Sequence, residues 1–348
     1  MKKFLSMIAS LSILAASLTA CGSASTPATT TAATTAATTA ATAAAAAAET
    51  QGKEYKVAIV QQLDHASLDE IRVAIEAELD AKAAEKGIAI TYKDFNGQND
   101  ATVLNQIGAQ VVSDGYDAII PIATLAATTM ATATEDNQIP VIYAAISDPA
   151  EAQLTGISNV TGTSDALNTP FILDMMLKAN PDIETVGLLY SNSEANSVTP
   201  IKQAKEYLDS KGIAYLEKTG NSTDEILTAA SSLVGRVQAV FTPTDNVVMA
   251  AASAVAEILN EAGIPHYAGA DSFVTAGAFA TCGVNYTELG TYTADMAVDI
   301  LLGGAVPEYH VMDGGIITVN TDTAKTLGLD YGVFKDMAGT VKEVTTQE

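Results

Sequence analysis

The sequence predicts an α/β protein of two tandem, doubly wound lobes joined by chain segments that cross between them. Three observations carry this. From Tyr55 onward, short apolar runs alternate with segments of helical period, the pattern of βα units feeding a parallel sheet. That series occurs twice: Lys86-Gly87-Ile88-Ala89 returns as Lys211-Gly212-Ile213-Ala214 and Ile139-Pro140 as Ile264-Pro265, an offset of 125 residues each time. Such an offset is one domain long, and 348 residues suffice for two lobes with ample core.

Taken in order, Met1 to Ala20 (1–20) reads as an export signal, with Lys2 and Lys3 ahead of an uncharged apolar stretch from Phe4 to Leu18 that is too short to span a membrane stably. Residues 21–54 follow as a linker of almost nothing but Ala, Thr and Ser, with no large side chain to pack. Lobe 1 is expected at 55–160 plus 273–304, lobe 2 at 161–272 plus 305–335, and a tail at 336–348. Lys56 to Val60 is the first strand. A helix from about Leu68 to Lys86 buries Ile71, Ile75 and Leu79 along one stripe, and Gly87 ends it. Strands recur at Ile88–Tyr92, Ala118–Ile122 and Val141–Ala145, and in the second series at Val186–Tyr190, Ile213–Leu216, Ala239–Thr242 and His266–Gly269. A strand from Ala278 to Val284, a helix from Thr287 to Leu302 and a strand near Ile316–Val319 form a leftover piece that fits a chain crossing back to the first lobe.

Composition excludes several functions. Lys and Arg number 17 against 41 Asp and Glu, and a net charge of −24 repels nucleic acid phosphates. Two cysteines, Cys21 and Cys282, allow no cysteine-rich metal cluster. No phosphate-binding glycine loop, dinucleotide fingerprint, nucleophile elbow or zinc helix motif occurs, so neither an enzyme nor a cofactor is expected. His65, His266 and His310 are far apart in sequence, which gives a metal site no support.

In open α/β sheets the crevice lies beyond the carboxyl ends of the strands. The loop after the first strand carries Asp64 and His65, and its counterpart carries Glu194, Asn196 and Ser197. Thr124 and the pair Asp245 and Asn246 follow the third strands, and Asp148 and Asp271 follow the fourth. Each aspartate also fits a turn or cap, and Ser67 and Ser197 fit helix caps. As a ligand site, the N–H groups at Thr124 and Ser197 would hold a carboxylate, while Asp245 or Asp271 would take an ammonium group. Candidates for the apolar walls of such a site are few: Leu63, Leu125, Tyr143, Phe273 and Tyr286.

Two resemblances add to this reading. Leu18-Thr19-Ala20-Cys21-Gly22 resembles the bacterial lipobox, which implies diacylation of Cys21, palmitate included, and a lipid anchor on the extracytoplasmic face of the cell membrane. DHASLDEIR from Asp64, IATLAA from Ile122, ISDP from Ile146, NVTGTSD from Asn159, YSNSEANS from Tyr190, PTDN from Pro243 and NYTELG from Asn285 together resemble the ABC transporter substrate-binding lipoproteins of the tryptophan/tyrosine-binding type. The resemblance implies a periplasmic binding protein fold of type I with a three-crossover hinge. It further implies capture of an amino acid, often aromatic, for a permease and its ATPase, with the ten loop residues from Asp64 to Asp271 at or near the ligand; the few wall candidates leave smaller branched or aliphatic amino acids open, and a monomer is expected. A sugar- or nucleoside-binding protein or receptor of the same fold, or a surface enzyme using cleft carboxylates, are the alternatives.

Overall fold

The structure, a computed structural model, describes residues 52–338 and 341–347. The export signal, Cys21 and nearly all of the linker lie outside the described residues.

The first sheet grows around β1 (Glu54–Gln61), whose run from Val57 to Gln61 is buried because helices cover both faces of a parallel sheet. β2 (Ala89–Asn96) pairs on one side and β3 (Ala118–Ile122) on the other, then β4 (Val141–Tyr143) and β5 (Val160–Ser164). All are parallel, in the order β2-β1-β3-β4-β5. α1 (Ala66–Lys86), α2 (Ala101–Ser113) and α3 (Thr124–Ala133) connect the first four strands, and α4 (Thr169–Ala179) leads to the second sheet. There β6 (Thr185–Tyr190), β7 (Ala214–Thr219), β8 (Ala239–Thr242), β9 (His266–Ala268) and β10 (Ala280–Gly283) repeat the order as β7-β6-β8-β9-β10. α5 (Val198–Lys211), α6 (Thr223–Ser231), α7 (Asn246–Met249), α8 (Ala252–Glu261) and α9 (Asp271–Thr275) link them. β2 and β7 begin at residues 89 and 214, and β4 and β9 at 141 and 266, so the repeat read from the sequence is a repeat of strands.

The chain passes between the sheets three times. It crosses after β5 and again after β10, where α10 (Tyr286–Leu301) returns to pack on α1; Gly290 permits this, since a Cβ there would lie 2.6 Å from the carbonyl oxygen of Ile71. β11 (His310–Val311) then adds a parallel edge to β5, and the third crossing leads to β12 (Ile316–Asn320), antiparallel to β10. α11 (Thr321–Leu327) and β13 (Val341–Val344), parallel to β12, complete the second sheet.

These sheets move the expected boundaries. β5 continues lobe 1 through Ser164, residues 273–283 belong with lobe 2, β11 belongs with lobe 1, and residues 341–344 of the expected tail form an edge strand. The sequence hides β5 because Val-Thr-Gly-Thr-Ser reads as a turn. It is wholly buried, and Gly162 (φ 153°) is what lets Tyr143 lie against it: a Cβ would stand 2.4 Å from that ring.

Candidate functional site

The first and third strands of each sheet pair side by side while the chain leaving them runs to opposite ends of the sheet, a switch point at which the loops beyond the strands open a crevice. The two crevices share one cavity. Lobe 1 lines it with His65 and Ser67 after β1, Ala123 and Thr124 after β3, Ser147 after β4 and Asp165 after β5. Lobe 2 contributes Asn196, Thr244, Asp245, Asn246 and Phe273, and α10 contributes Tyr286.

The lobes are drawn together. Gln62 Nε2 donates to Glu194 Oε1 (3.1 Å), Thr199 Oγ1 to Asp148 Oδ2 (2.6 Å), Ser147 and Thr244 join hydroxyls at 2.9 Å, and His65 Nε2 meets Asn246 Oδ1 at 3.0 Å. The hydroxyls of Ser67 and Ser272 also bond. Only about 20 Å³ is left between the lobes, room for a single water, so a larger occupant requires them to part.

Asp165 is the group with the clearest chemistry. It is 5% exposed and its carboxylate accepts from Ser147 Oγ (2.9 Å) and Tyr286 Oη (3.0 Å). Among the described residues no Lys, Arg or His pairs with it. Burial pushes its carboxyl above the usual range, and the two hydroxyl donors oppose that shift. Across the cavity, α3 begins with no side-chain cap: Ala123 holds the N-cap position at φ 74°, and Gln62 Oε1 takes only the Leu125 N–H (2.8 Å). Ala145, also on the cavity, has φ 59°. Backbone held in the left-handed region by non-glycine residues is strained, and it gathers at ligand-gripping loops. Two further buried atoms on cavity residues lack partners, His65 Nδ1 and Asn196 Oδ1.

Of the ten residues read from the sequence, His65, Thr124, Asn196, Asp245 and Asn246 line the cavity. Asp245 does so without a free oxygen facing a ligand: it is fully buried and accepts from Ser191 N (2.7 Å), Ser197 Oγ (2.7 Å) and Val248 N (3.0 Å), capping α7. The Ser197 hydroxyl is thereby spent on Asp245, and its N–H on the Glu194 carbonyl (3.2 Å), so neither is left for a ligand's carboxylate. Glu194 belongs to the contact between the lobes, and Asp148 caps its own turn through the N–H groups of Ala150 and Glu151 while bonding Thr199 at the rim. Asp64 is exposed, and Asp271 pairs with Lys342 Nζ at 3.0 Å, away from the cavity. Neither aspartate assigned to an ammonium group is available for one. Of the wall candidates Phe273 and Tyr286 face the cavity, whereas Leu63, Leu125 and Tyr143 pack into the core. Asp165 and Ser147 are not among the residues read from the sequence although both stand in quoted motifs; the signal for each is a polar residue just past a strand, open to view for Ser147 after Val141–Ala145 and hidden for Asp165 because β5 reads as a turn. Among the described residues no group of His, Cys, Asp or Glu could hold a metal ion.

Residues 56–332 match the family model of ABC transporter substrate binding proteins. The chain belongs to that family. It is 32% identical over 303 residues, 85% of this chain and 86% of the other, to a tyrosine-binding protein of Clostridioides difficile (strain R20291). Among solved structures it is similar to an ABC domain of Streptococcus pneumoniae in complex with L-Trp (30% identity, TM-score 0.76, 83% of this chain and 100% of that one). It is also similar to the ligand-free, open structure of a substrate binding protein with adhesive properties from Clostridium difficile (33% identity, TM-score 0.64, 84% and 100%). Identity is slightly higher to the open structure, yet the match in shape is poorer.

Proposed function

We propose that this substrate-binding protein captures a free amino acid with an aromatic or large aliphatic side chain. The observation that carries the reading is Asp165, a buried carboxylate without a cation, in one cavity with the uncapped N-terminus of α3. An unpaired buried carboxylate calls for a cationic partner, and helix N–H groups call for an anion. An amino acid carries both on one carbon. Asp165 would accept from its ammonium group, helped by the unpartnered Asn196 Oδ1, and the first N–H groups of α3 with the Thr124 hydroxyl would hold its carboxylate. Leu68, Met249, Phe273 and Tyr286 supply apolar walls for a side chain. The names of the two relatives that bind tyrosine and tryptophan agree with this class.

The protein acts by binding alone, as a monomer tethered through lipid on Cys21 and the Ala/Thr-rich linker at the extracytoplasmic face of the cell membrane, and delivers its ligand to an ABC permease and its ATPase. The lipobox-like Leu18 to Gly22 supports the tether. Thermal shift across amino acids, sugars and nucleosides tests the ligand class: a binder at 100 times its Kd adds about 2.7 kcal/mol of stability. Stabilisation by sugars or nucleosides alone would contradict it. Incorporation of labelled palmitate, abolished by Cys21→Ala, tests the anchor.

A further inference from the structure

We propose that lobe 1 carries a second binding site, apart from the cleft, in which a neutral, apolar small molecule bearing a carbonyl or ether oxygen accepts a hydrogen bond from Tyr143. The inference does not depend on which ligand occupies the cleft.

The site lies at the edge of the first sheet. The loop from β4 to β5 and the start of β5 form one wall with Leu154, Ile157 and Val160. The segment between α10 and β11 forms the other with Val306, Pro307 and Tyr309. Between them is a groove of about 370 Å³, large enough for a small molecule, and it shares no lining residue with the cavity between the lobes. Glu308 is the one charged residue on it, and Ser158 already donates to Gln138 Oε1 (2.8 Å). Apolar walls favour an apolar occupant, and a lone carboxylate disfavours an anion.

Tyr143 gives this groove its polar group. It is the last residue of β4, it is 0% exposed, and its ring lies against β5 where Gly162 leaves room for it. The side chain lines the groove, and its hydroxyl is buried with no partner, a condition no other tyrosine among the described residues shares. Burying a hydroxyl without a hydrogen bond costs about 1–3 kcal/mol. Phenylalanine would fill nearly the same volume without that cost. The phenol stays protonated and so remains a donor, because burial pushes its ionisation above the usual range. A water can satisfy it but leaves the apolar walls wet, whereas a molecule with an acceptor oxygen and an apolar body answers both.

Acetophenone and ethylbenzene, which differ by one carbonyl oxygen, are the probes, titrated into the methyl-labelled full chain and followed by NMR. The methyls of Leu154, Ile157, Val160 and Val306 report the groove, and those of Leu68 and Met249 report the cleft. Both probes should shift the groove methyls and leave the cleft methyls in place. In Tyr143→Phe the affinity for acetophenone relative to ethylbenzene should fall about 3- to 10-fold, the worth of one neutral hydrogen bond. An unchanged ratio would overturn the proposal, as would shifts confined to the cleft or no shifts at all. Thermal melts of the probe-free proteins separate a structural role: Tyr143→Phe should be at least as stable as wild type, and a clear loss of stability would show that the hydroxyl already serves the fold, which equally overturns the site. Val306→Trp, which fills the groove and leaves Tyr143 intact, should abolish binding of both probes; binding that survives it counts against the site.

Discussion

Replacing Asp165 by Asn separates a ligand-gripping carboxylate from a structural one, because the two roles predict opposite signs for stability. In the free protein the charge is buried with only Ser147 Oγ and Tyr286 Oη to offset the loss of water. An amide of the same shape keeps one acceptor, and either hydroxyl can turn to accept from the new N–H₂, so both bonds survive without a buried charge. Unfolding of the ligand-free variant should be unchanged or harder by about 1 kcal/mol, which in a chain of this size raises Tm by about 1–2 °C. Binding should move the other way. Truncating one partner of a buried charge-assisted pair costs about 2–5 kcal/mol, or roughly 30- to several-thousand-fold in Kd. Differential scanning calorimetry of the free protein and calorimetric titration of L-tyrosine or L-tryptophan read the two quantities. A variant that is clearly less stable yet binds as tightly as wild type would show that Asp165 serves the fold.

Other perturbations test other parts of the account. Asp245→Ala strips acceptors from Ser191 N, Ser197 Oγ and Val248 N, so it should lower stability by about 2–4 kcal/mol in denaturant melts; a stable variant with only weakened binding would restore the ammonium role to Asp245. Gly290→Leu forces side-chain atoms against Ile71 and Ala74 where α10 meets α1 and should cost about 1–3 kcal/mol, while a neutral result would mean the helices are free to separate. Burial pushes the Cys282 thiol up to about 11, so iodoacetamide at pH 8 should modify it only after denaturation, as read by peptide mass spectrometry. Small-angle scattering without ligand at neutral pH should give a larger radius of gyration than with saturating ligand; equal values would argue that the lobes do not part.

Much of the scaffold was legible because it is written in periodicity. Apolar runs such as Val57–Val60 read as buried strands, and the Lys-Gly-Ile-Ala and Ile-Pro pairs that return 125 residues later read as a second copy of the fold. What failed was local. β5 is made of small polar residues whose burial depends on Gly162 and Tyr143 meeting across strands, a fact of tertiary packing. The site suffered from the same cause. Asp245 and Asp165 both follow a strand, yet one is saturated by donors from its own lobe and the other faces a cavity with two hydroxyls. Sequence cannot tell a cap from a ligand acceptor when both are an aspartate past a strand end. The crossings had the same ambiguity, since a return strand pairs by where the hinge delivers it and not by its own composition.

The central claim is that one cleft holds both charged ends of an amino acid. Titrating the protein with L-tyrosine, with its deaminated acid and with its decarboxylated amine tests this most directly. The account predicts that only the compound with both ends binds tightly, each truncation costing at least about 30-fold. Equal affinity for the deaminated acid would contradict it, because Asp165 would then have no ammonium group to hold.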